Sequence, residues 1–475
     1  LEEPLQLSIF SAFFTPGEVR NVVNRSNSKK APGADLITQQ LVKALPRRPI
    51  VFLTQIYNAI LRTTHFPSKW KHAQIILIKK PNKRRDDPLS YRPISLLSIF
   101  SKMFERLLLP RLLSYLAPLL PDTQFGFRPG HSCPQQLYRV VQTILDTYEE
   151  KKVCLGVYLD TEKAFDKVWH KGLLYKLKPH LPDTHYRLIM SWLSTRTFSV
   201  RIGQHSSASK PISAGVPQGS VLGPFLYLLY VKDMPSHEQL VTAQFADDSA
   251  ALCKAQTVSE AQSTLQLHMN ELENWCSKWK ITMNPQKSSQ VLFTYLRNVS
   301  TPRVELLGDP IPETDVVRYL GLHLDRKLTW NSHIKYLVGK IRNRIHQLKH
   351  LLSRNSPLSL NTKCHIYIML VRPIWQYSCG LWGAASSSQV KRVQVAQNRV
   401  LRMITDAPWY VRNSTLHSDL DIPTVNEVIK KSYTSLHESM AHHGNPLALE
   451  IVSNPPPTRN SRRLKRKRPE DWLEE

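Results

Sequence analysis

Three aspartates stand where carboxylates could bind divalent cations. Asp160 ends the apolar run Val153–Leu159, and Asp247 and Asp248 end a second apolar run, Leu240–Phe245. Adjacent like charges destabilise a fold unless something binds them. If both runs are strands of one sheet, with the acid pair at a hairpin tip, the three carboxylates converge. Mg²⁺ takes one or two carboxylates together with substrate phosphates, so the pattern favours phosphoryl transfer with two metal ions.

Simpler interpretations of these residues stay open. An Asp-Asp pair often does no more than cap a tight turn. Between the acidic positions lies Ala214–Pro224, a Gly/Pro-punctuated loop before the apolar Phe225–Tyr230. Its glycines would let a base or sugar approach the backbone, although an ordinary loop before a core helix has the same composition. The basic loop Lys79–Arg85 is either a phosphate cradle or a solvated hairpin tip.

Charge and composition define the class of partner. The chain has 475 residues, with 64 Lys and Arg against 37 Asp and Glu and a formal net charge of +27. Such an excess points to a polyanionic partner. A hydrophobic content of 41% excludes wholesale disorder, and the length suggests roughly three domains. The apolar runs fall short of the ~20 residues that a membrane span needs, so no membrane partner is expected.

One stretch is strongly basic. Residues 326–405 contain fourteen Lys and Arg and no Asp or Glu, and apolar residues recur at helical spacing over 334–352. A helix that packs one face and leaves another positive suits a nucleic-acid backbone, because neutralised phosphates release counterions. A solvated charged face is the alternative. The basic positions assigned to the nucleic-acid backbone are Lys335, Lys340, Arg342, Arg344 and Lys349.

Helices and strands must together position these residues. Thr15-Pro16-Gly17-Glu18 has the form of a capping box and predicts a helix start. Helical patterns cover residues 38–61 and 259–279, and Gln74–Ile78 has the pattern of a strand. The mixture indicates the α+β class with an antiparallel sheet. The basic tail after Asn454–Pro457 is predicted to be disordered. It could be either a nuclear-import signal or an RNA-binding arm.

The N-terminal residues and the cysteines indicate the cellular compartment. The acidic start Leu1-Glu2-Glu3 and the short apolar run at 10–14 do not form a signal peptide, and the absence of an initial Met leads us to expect a missing upstream part. Six scattered cysteines without a C-x-x-C pair fit neither a disulfide framework nor a zinc module. These features predict a reducing, intracellular compartment.

Taken in order, the motifs resemble those of the reverse transcriptases of non-LTR (LINE-type) retrotransposons, with the jockey group of arthropod elements as the nearest likeness. The matching stretches are Ala31–Asp35, Tyr91–Leu97, Gln124–Arg128, Leu159–Asp166, Gly215–Pro224, Phe245–Asp248, Asn284–Ser288 and Tyr319–Asp325. Each motif alone is weak, but the ordered series is specific and covers most of the chain.

The resemblance implies a right-hand polymerase. Fingers would lie within residues 1–150, a palm within 151–325, a basic helical thumb and C-terminal region within 326–452, and the tail within 453–475; the reverse transcriptase domain would span about 60–325. The implied activity is RNA-directed DNA polymerisation, in which a DNA primer 3′-hydroxyl is extended with dNTPs on an RNA template. Two Mg²⁺ ions would assist, with Mn²⁺ as a substitute.

The resemblance also implies roles for single residues. Asp160, Asp247 and Asp248 would hold the metal ions, and Phe165 would block a ribose 2′-hydroxyl. The remaining assignments place Lys79, Lys80, Arg92, Gln218 and Gly219 at the incoming nucleotide, Lys287 at the leaving pyrophosphate, and Leu320 and Gly321 in the primer grip.

Two rival functions stay open. One is a catalytically inactive nucleic-acid-binding remnant of a retroelement, and the other is a two-metal nuclease, for which Pro217–Gly219 and Phe165 would have no use. Relatives usually carry an endonuclease domain upstream, which nothing before Thr15 could supply, so we expect that domain to be missing. We expect action in the nucleus after assembly in the cytoplasm.

Overall fold

The computed structural model describes residues 12–81, 83–296, 299–300, 302–453, 458 and 461–473. The described residues form two compact units. The first unit draws on Leu1–Pro121, Thr161–Pro235 and Asn274–Met283, and the second on Asp122–Asp160, Ser236–Glu273 and Asn284–Glu475. Each unit therefore combines segments distant in sequence, unlike the consecutive domains predicted above, whose functional boundaries stay predictions.

Helices and short strands alternate along the chain. The α-helices are α1 (Pro16–Arg25), α2 (Gln39–Lys43), α3 (Arg47–Thr63), α4 (Ile99–Leu116), α5 (Cys133–Glu149), α6 (His170–Leu177), α7 (Asp183–Leu193), α8 (Leu222–Tyr230), α9 (Val258–Trp279), α10 (Asn331–Leu352), α11 (Leu360–Ile366), α12 (Arg372–Gln376), α13 (Cys379–Trp382), α14 (Ser387–Thr405), α15 (Asn413–Asp419), α16 (Val425–Ala441) and α17 (Pro446–Ser453). The strands are β1 (His72–Lys79), β2 (Tyr91–Leu96), β3 (Val153–Asp160), β4 (Thr197–Ile202), β5 (His205–Ser206), β6 (Lys210–Pro211), β7 (Leu240–Phe245), β8 (Asp248–Ala255), β9 (Ser289–Phe293), β10 (Glu305–Leu306), β11 (Asp309–Pro310), β12 (Val316–Tyr319) and β13 (Leu322–Asp325).

The first helix begins where the capping box predicts. The Thr15 hydroxyl accepts a hydrogen bond from the Glu18 backbone N–H at 3.2 Å, and the Glu18 carboxylate accepts one from the Thr15 N–H at 2.7 Å. Val19 and Val23 are fully buried along the inner face of α1. The predicted helix start is confirmed, and packing of this apolar face stabilises the short helix.

The sheet of the first unit is mixed. Its strand order is β2-β1-β4-β5, with β6 also paired to β4. The predicted strand Gln74–Ile78 lies within β1, which pairs antiparallel with β2 and parallel with β4. Parallel pairing is possible here because more than a hundred residues separate β1 from β4, far more than a crossover requires.

A buried carboxylate anchors the Gly/Pro-punctuated loop of the first unit. Glu105 is fully buried, and its carboxylate accepts hydrogen bonds from the N–H groups of Val221 at 2.6 Å and Leu222 at 3.2 Å. It also accepts one from Trp192 Nε1 at 3.3 Å. A negative charge at the start of α8 satisfies N–H groups that the helix leaves unpaired and complements its dipole.

The second unit contains the antiparallel sheet that the sequence predicts. Its strand order is β7-β8-β3-β9, and every pairing is antiparallel. The central strand β3 is buried along its whole length except at its last residue, Asp160. The α+β class is confirmed, because this sheet packs with helices that carry most of the remaining core.

Helix α10 separates an apolar face from a basic one, as predicted. Its buried apolar residues are Ile334, Leu337, Val338, Ile341, Ile345 and Leu352. Among the assigned basic residues, Lys335, Lys340, Arg342 and Lys349 are exposed and Arg344 is half-buried. These cations flank the apolar face and belong to the stretch of the chain that has no acidic residues.

Residues 461–473, expected to be disordered, pack onto the second unit instead. The buried Arg462 guanidinium donates to both carboxylate oxygens of Asp471, at 2.6 and 2.7 Å. Arg468 donates to Asp146 at 2.9 Å, and Trp472 is 5% exposed. Composition predicted disorder because it counts charges without knowing their partners; the predicted linker Asn454–Pro457 lies outside the described residues.

Two further findings concern helix length and thiols. Within the described ranges, no helix has the length and apolarity that crossing a membrane requires. All six cysteines are described, and each carries a thiol and not a disulfide.

The packed tail predicts a large loss of stability in the Asp471→Ala variant. The change leaves the buried Arg462 guanidinium without its counter-charge, so we expect the free energy of unfolding to fall by about 3–5 kcal/mol, measured by urea denaturation. Asp86→Ala is the matched control, because the Arg84–Asp86 pair has side chains 83% and 63% exposed and its loss should leave stability unchanged. Wild-type stability in Asp471→Ala would contradict the packed arrangement.

Candidate active site

The pairing of β3 with β8 places Asp160 directly opposite Asp248. These two residues are register partners at the end of the ladder. Phe245 and Asp248 are partners in the β7–β8 hairpin, so Asp247 lies in the two-residue turn between them. The predicted hairpin with an acidic tip is confirmed, and the three candidate aspartates lie together at one end of this sheet.

Crowding of negative charge changes the titration of the hairpin acids. Desolvation is the main cause that raises the pKa of Asp248 to about 6, and repulsion from Asp247 and Asp160 adds to it, while Arg318 opposes the shift. The pKa of Asp247 is raised as well, by desolvation and then by Asp160. Because both hairpin carboxyls still reach solvent, a cation from solution could relieve this repulsion.

The three carboxylates fit a cation that a substrate completes. Across the residues that the structure describes, no three His, Cys, Asp or Glu side chains are grouped so as to hold a metal ion on their own. Carboxylate oxygens are nevertheless the donors that Mg²⁺ prefers, and Mg²⁺ usually keeps waters or substrate phosphates in its remaining positions. The aspartates at the sheet end suit such a shared site better than a closed protein cage.

A small pocket is lined by both acidic and basic residues at this end of the sheet. Its volume is about 120 Å³, and its lining includes Asp160, Asp248, Lys287, Arg318 and Leu320. Two cationic side chains next to carboxylates give the pocket the mixed charge that a metal-bound phosphate group requires. The structure therefore brings Lys287 and Leu320, two of the predicted site residues, to the aspartates.

Arg318 is a site residue that the sequence reasoning missed. It lies on β12, where its neighbours Val317 and Tyr319 are both buried and Arg318 is exposed. Alternation along a strand would have placed Arg318 on the opposite face, but only the pocket lining shows that this face meets Asp248.

Backbone contacts hold the Asn284–Ser288 motif at the end of β3. The Asn284 N–H donates to the Asp160 carbonyl at 2.9 Å, and the Asp160 N–H donates to Ser288 Oγ at 3.1 Å. Asn284 Oδ1 in turn accepts from the Lys287 N–H at 3.1 Å. These bonds explain how Lys287, 127 positions after Asp160 in the chain, is held beside it.

The predicted primer grip is the tip of another hairpin. Tyr319 and Leu322 are register partners, so Leu320 and Gly321 form a two-residue turn, with φ of +41° and +89°. The Tyr377 hydroxyl, another contact that the sequence did not reveal, donates to the Leu320 carbonyl at 2.8 Å. A Cβ at position 321 would lie 3.1 Å from the Tyr377 ring, so the turn favours glycine on both counts.

Gln124 braces the turn that carries Asp247. Its Oε1 accepts hydrogen bonds from the Gly126 N–H at 2.7 Å and from the Ala246 N–H at 2.9 Å. Ala246 has φ +58°, a conformation that costs a non-glycine residue about 1–2 kcal/mol. Gly126 fits closely beneath, since a Cβ there would lie 2.2 Å from the Ala246 nitrogen. The Gln124–Arg128 motif, which supported the family resemblance but received no role in the predicted site, thus positions the acidic turn.

The basic residues predicted at the incoming nucleotide lie in the first unit. Arg92 on β2 is the register partner of Ile78 on β1, one residue before Lys79. Arg92 and Lys79 are exposed, whereas the Lys80 ammonium donates to the Leu89 carbonyl at 2.9 Å. The β1–β2 pairing therefore places Arg92 and Lys79 on neighbouring strands but on opposite faces of the sheet, because Arg92 shares the face of Ile78, and the Lys80 ammonium is committed to the backbone.

Gln218 and Gly219 pack against the same strand pair. The Ser95 N–H donates to the Gln218 carbonyl at 2.8 Å, and Gln218 Nε2 donates to Asp166 at 3.1 Å. Gly219 has φ +130°, and a Cβ there would lie 2.5 Å from the Ser95 carbonyl oxygen. The glycine is needed for this close approach of two protein backbones, and its place at the incoming nucleotide stays a prediction.

Phe165 is held by an aromatic neighbour. Its ring stacks on Tyr227 with centroids 4.8 Å apart and an interplanar angle of 27°. The Phe165 carbonyl accepts from the Val216 N–H at 2.8 Å, and the side chain is half-buried. The structure thus collects Phe165, Gln218 and Arg92 in the first unit, while the aspartates and Lys287 lie in the second.

A family model and several relatives match this chain. The model of the reverse transcriptase (RNA-dependent DNA polymerase) family matches residues 78–324. The probable RNA-directed DNA polymerase from transposon X-element of Drosophila melanogaster is 41% identical over all of this chain and 52% of that protein. The probable RNA-directed DNA polymerase from transposon BS of the same organism is 40% identical over 98% of this chain and 52% of that protein.

The match extends to another mobile element. The RNA-directed DNA polymerase from mobile element jockey of Drosophila melanogaster is 38% identical over 99% of this chain and 53% of that protein. The chain thus spans about half the length of the curated relatives it matches.

The raised pKa of Asp248 predicts that its carboxylate lowers the stability of the folded state at neutral pH. A folded-state pKa of about 6 lies above the usual 3.8, so this group's contribution to stability is complete at low pH and is lost as pH rises through about 6. Without divalent cations at pH 7.5, Asp248→Asn should therefore unfold at a higher temperature than wild type. Its free energy of unfolding should exceed that of wild type by about 1 kcal/mol or less, because solvent screens the site. The difference should vanish near pH 4.

Thermal unfolding followed by circular dichroism measures this difference. Asp309→Asn, an exposed hairpin aspartate elsewhere in the second unit, is the control and should show no such pH-dependent gain. A wild-type stability that rises relative to Asp248→Asn between pH 5 and 7.5 would contradict the repulsion.

Proposed function

The chain belongs to the reverse transcriptase family of non-LTR retrotransposons, and on this premise we propose that it is an RNA-directed DNA polymerase. It extends a DNA primer 3′-hydroxyl with dNTPs along an RNA template. The primer oxygen bonds to the α-phosphorus of the dNTP while the bond to pyrophosphate breaks. The observation that carries the proposal is the register that sets Asp160 opposite Asp248, with Asp247 beside them.

Asp160, Asp247 and Asp248 are the residues we propose to hold two Mg²⁺ ions, for which Mn²⁺ can substitute. When bound, the ions supply charge stabilisation to the attacking and leaving oxygens. The carboxylates must be ionised for this task, and Asp248 meets that condition above pH about 6 or whenever a cation lowers its pKa. Their solvent access lets a phosphate-bearing substrate complete the ligand set.

Basic side chains supply the contacts for the triphosphate. Lys287 lines the pocket beside Asp160 and Asp248, and we propose that it gives a proton to the leaving pyrophosphate. Arg92 on β2 and Lys79 on β1, both exposed, are proposed contacts for the incoming triphosphate. Lys80 is the weaker candidate, because its ammonium already donates to a backbone carbonyl.

Phe165 is proposed to exclude ribonucleotides. A ring held by stacking on Tyr227 cannot easily move aside for a 2′-hydroxyl, so it selects dNTPs by steric contact. Gln218 and Gly219 would line the same nucleotide site from a loop fastened to β2.

The template and primer require a longer surface. We propose that the Leu320–Gly321 turn contacts the primer end and that Lys335, Lys340, Arg342, Arg344 and Lys349 of α10 follow the backbone of the hybrid. Their exposure and the absence of neighbouring acids in residues 326–405 support this role. A nuclear site of action after cytoplasmic assembly is part of the proposal, and the six thiols suit a reducing compartment.

The carboxylates provide the main test. Asp247→Asn keeps the shape of the side chain and removes its charge, so primer extension on poly(rA)–oligo(dT) should fall on the order of 100-fold or more. Binding of the hybrid should remain within about twofold of wild type, because the phosphate contacts lie elsewhere. Asp309→Asn serves as the matched hairpin control. Extension by Asp247→Asn at the wild-type rate would refute the assignment, and loss of binding alone would favour a role in folding.

The steric role of Phe165 predicts a change of substrate. Phe165→Ala should raise the ratio of kcat/KM for a ribonucleotide to that for the matching dNTP by roughly 10-fold or more, since a missing ring removes a clash worth at least ~1.4 kcal/mol. Single-nucleotide extension measures the ratio. Phe165→Tyr retains the ring and should retain discrimination. A flat ratio in the alanine variant, with an unchanged melting temperature, would leave Phe165 a packing residue.

A further inference from the structure

Two neighbouring aromatic side chains extend into solvent from the second unit. Trp409 is 89% exposed and Tyr410 is 70% exposed. Their ring centroids lie 5.9 Å apart at an interplanar angle of 81°. Aromatic rings normally contribute to folding through a large buried area, so two adjacent exposed rings give up that contribution. An exposed apolar surface of this kind marks an interaction site.

The segment that carries the rings is held firmly. The Val411 N–H donates to the Pro408 carbonyl at 3.1 Å, which makes Trp409 and Tyr410 the two central residues of a turn. From α14, the Arg402 guanidinium donates to the Pro408 carbonyl at 2.9 Å and to Asn413 Oδ1 at 3.0 Å, and it also bonds the Val411 carbonyl. The rings are therefore presented by a fastened turn, and a ligand would bind with little cost for ordering that turn.

The charge around the turn is positive. Two exposed cations flank the turn along the chain, Arg399 on α14 and Arg412 directly after the turn. The acid at the start of the connection, Asp406, pairs with Arg354 at 3.3 Å. Exposed aromatics among cations suit a polyanion with flat apolar groups, which describes a nucleic acid better than an acidic protein surface or a lipid headgroup layer.

We propose that Trp409 and Tyr410 form a stacking platform for unpaired nucleotides of the RNA template. Bases in a duplex already cover each other's faces, whereas unpaired bases offer theirs to aromatic side chains. The neighbouring arginines hold the phosphates of the same segment. The choice of RNA over DNA rests on the proposed function, whereas the choice of an unpaired strand rests on the exposed rings alone.

Equilibrium binding to two labelled probes tests the platform. The full chain is titrated against a fluorescein-labelled oligo(rU) of about 20 nucleotides and against a blunt RNA–DNA hybrid of the same length, with fluorescence anisotropy as readout. Trp409→Ala should raise the Kd for oligo(rU) roughly 5- to 150-fold, since stacking contributes about 1–3 kcal/mol per base. The Kd for the blunt hybrid should change less than about twofold.

Matched variants separate stacking from folding and from charge. Trp409→Phe keeps a stacking face and should keep most of the affinity, and Tyr175→Ala, at an aromatic position 56% exposed in the first unit, should bind as wild type. The dependence of log Kd on log salt concentration should be unchanged in Trp409→Ala, because no phosphate contact is lost, and shallower in Arg399→Gln with Arg412→Gln.

Three results would overturn the platform. The first is an unchanged Kd for oligo(rU) in Trp409→Ala, which would leave the rings to a protein partner. The second is an equal loss of affinity for oligo(rU) and for the blunt hybrid in Trp409→Ala. The third is a loss of oligo(rU) affinity in Trp409→Phe as large as the loss in Trp409→Ala. The titrations contain no dNTP, so the platform and the polymerase proposal fail separately. Primer extension that fails while oligo(rU) binding stays intact would count against the polymerase proposal alone. Primer extension that stays intact while Trp409→Ala leaves the Kd for oligo(rU) unchanged would count against the platform alone.

Discussion

Repulsion between carboxylates that the fold holds close together is the constraint on which the site depends. The β3–β8 ladder sets Asp160 opposite Asp248 through backbone hydrogen bonds, whatever the charge of the side chains. Desolvation and mutual repulsion raise the pKa of Asp248 to about 6, so part of the stability of this sheet is given up at neutral pH. A cation that neutralised the cluster would return that stability.

Much of the surrounding structure can be understood as support for this unfavourable arrangement. Gln124 Oε1 accepts hydrogen bonds from the Gly126 N–H and from the Ala246 N–H of the acidic turn, where the Ala246 backbone adopts a left-handed conformation. Asn284 and Ser288 fasten β3 at the same end, at Asp160. These hydrogen bonds offset part of the cost of placing the carboxylates close together. The strand register adds a second constraint, because a slip of one residue would turn the buried face of β3 to solvent. Local backbone strain of this kind is typical of functional sites.

The chain distributes its predicted site residues over two compact units. The second unit ends one of its segments at Asp160, and the first unit resumes at Thr161, so Phe165 follows the acid by only five positions. In the first unit a buried Glu105 anchors the loop before α8, and Gln218 fastens that loop to β2. Each unit thus holds its own set of side chains by buried polar contacts, on elements that the hydrophobic core already makes rigid.

The sequence by itself determined what depends on neighbours along the chain. Alternating and continuous apolar runs specified β3 and β7, helical spacing specified the two faces of α10, and the ordered motifs indicated the family and its three aspartates. The sequence also misled where partners are distant, because it predicted disorder for residues 461–473, where Arg462 pairs with Asp471, and it did not reveal that Gly219 packs against Ser95. Arg318, Gln124 and the exposed turn at Trp409 became recognisable only in three dimensions. The physical reason is that burial, charge pairing and close backbone approach are properties of residue pairs far apart in sequence, and only the folded chain decides which pairs meet.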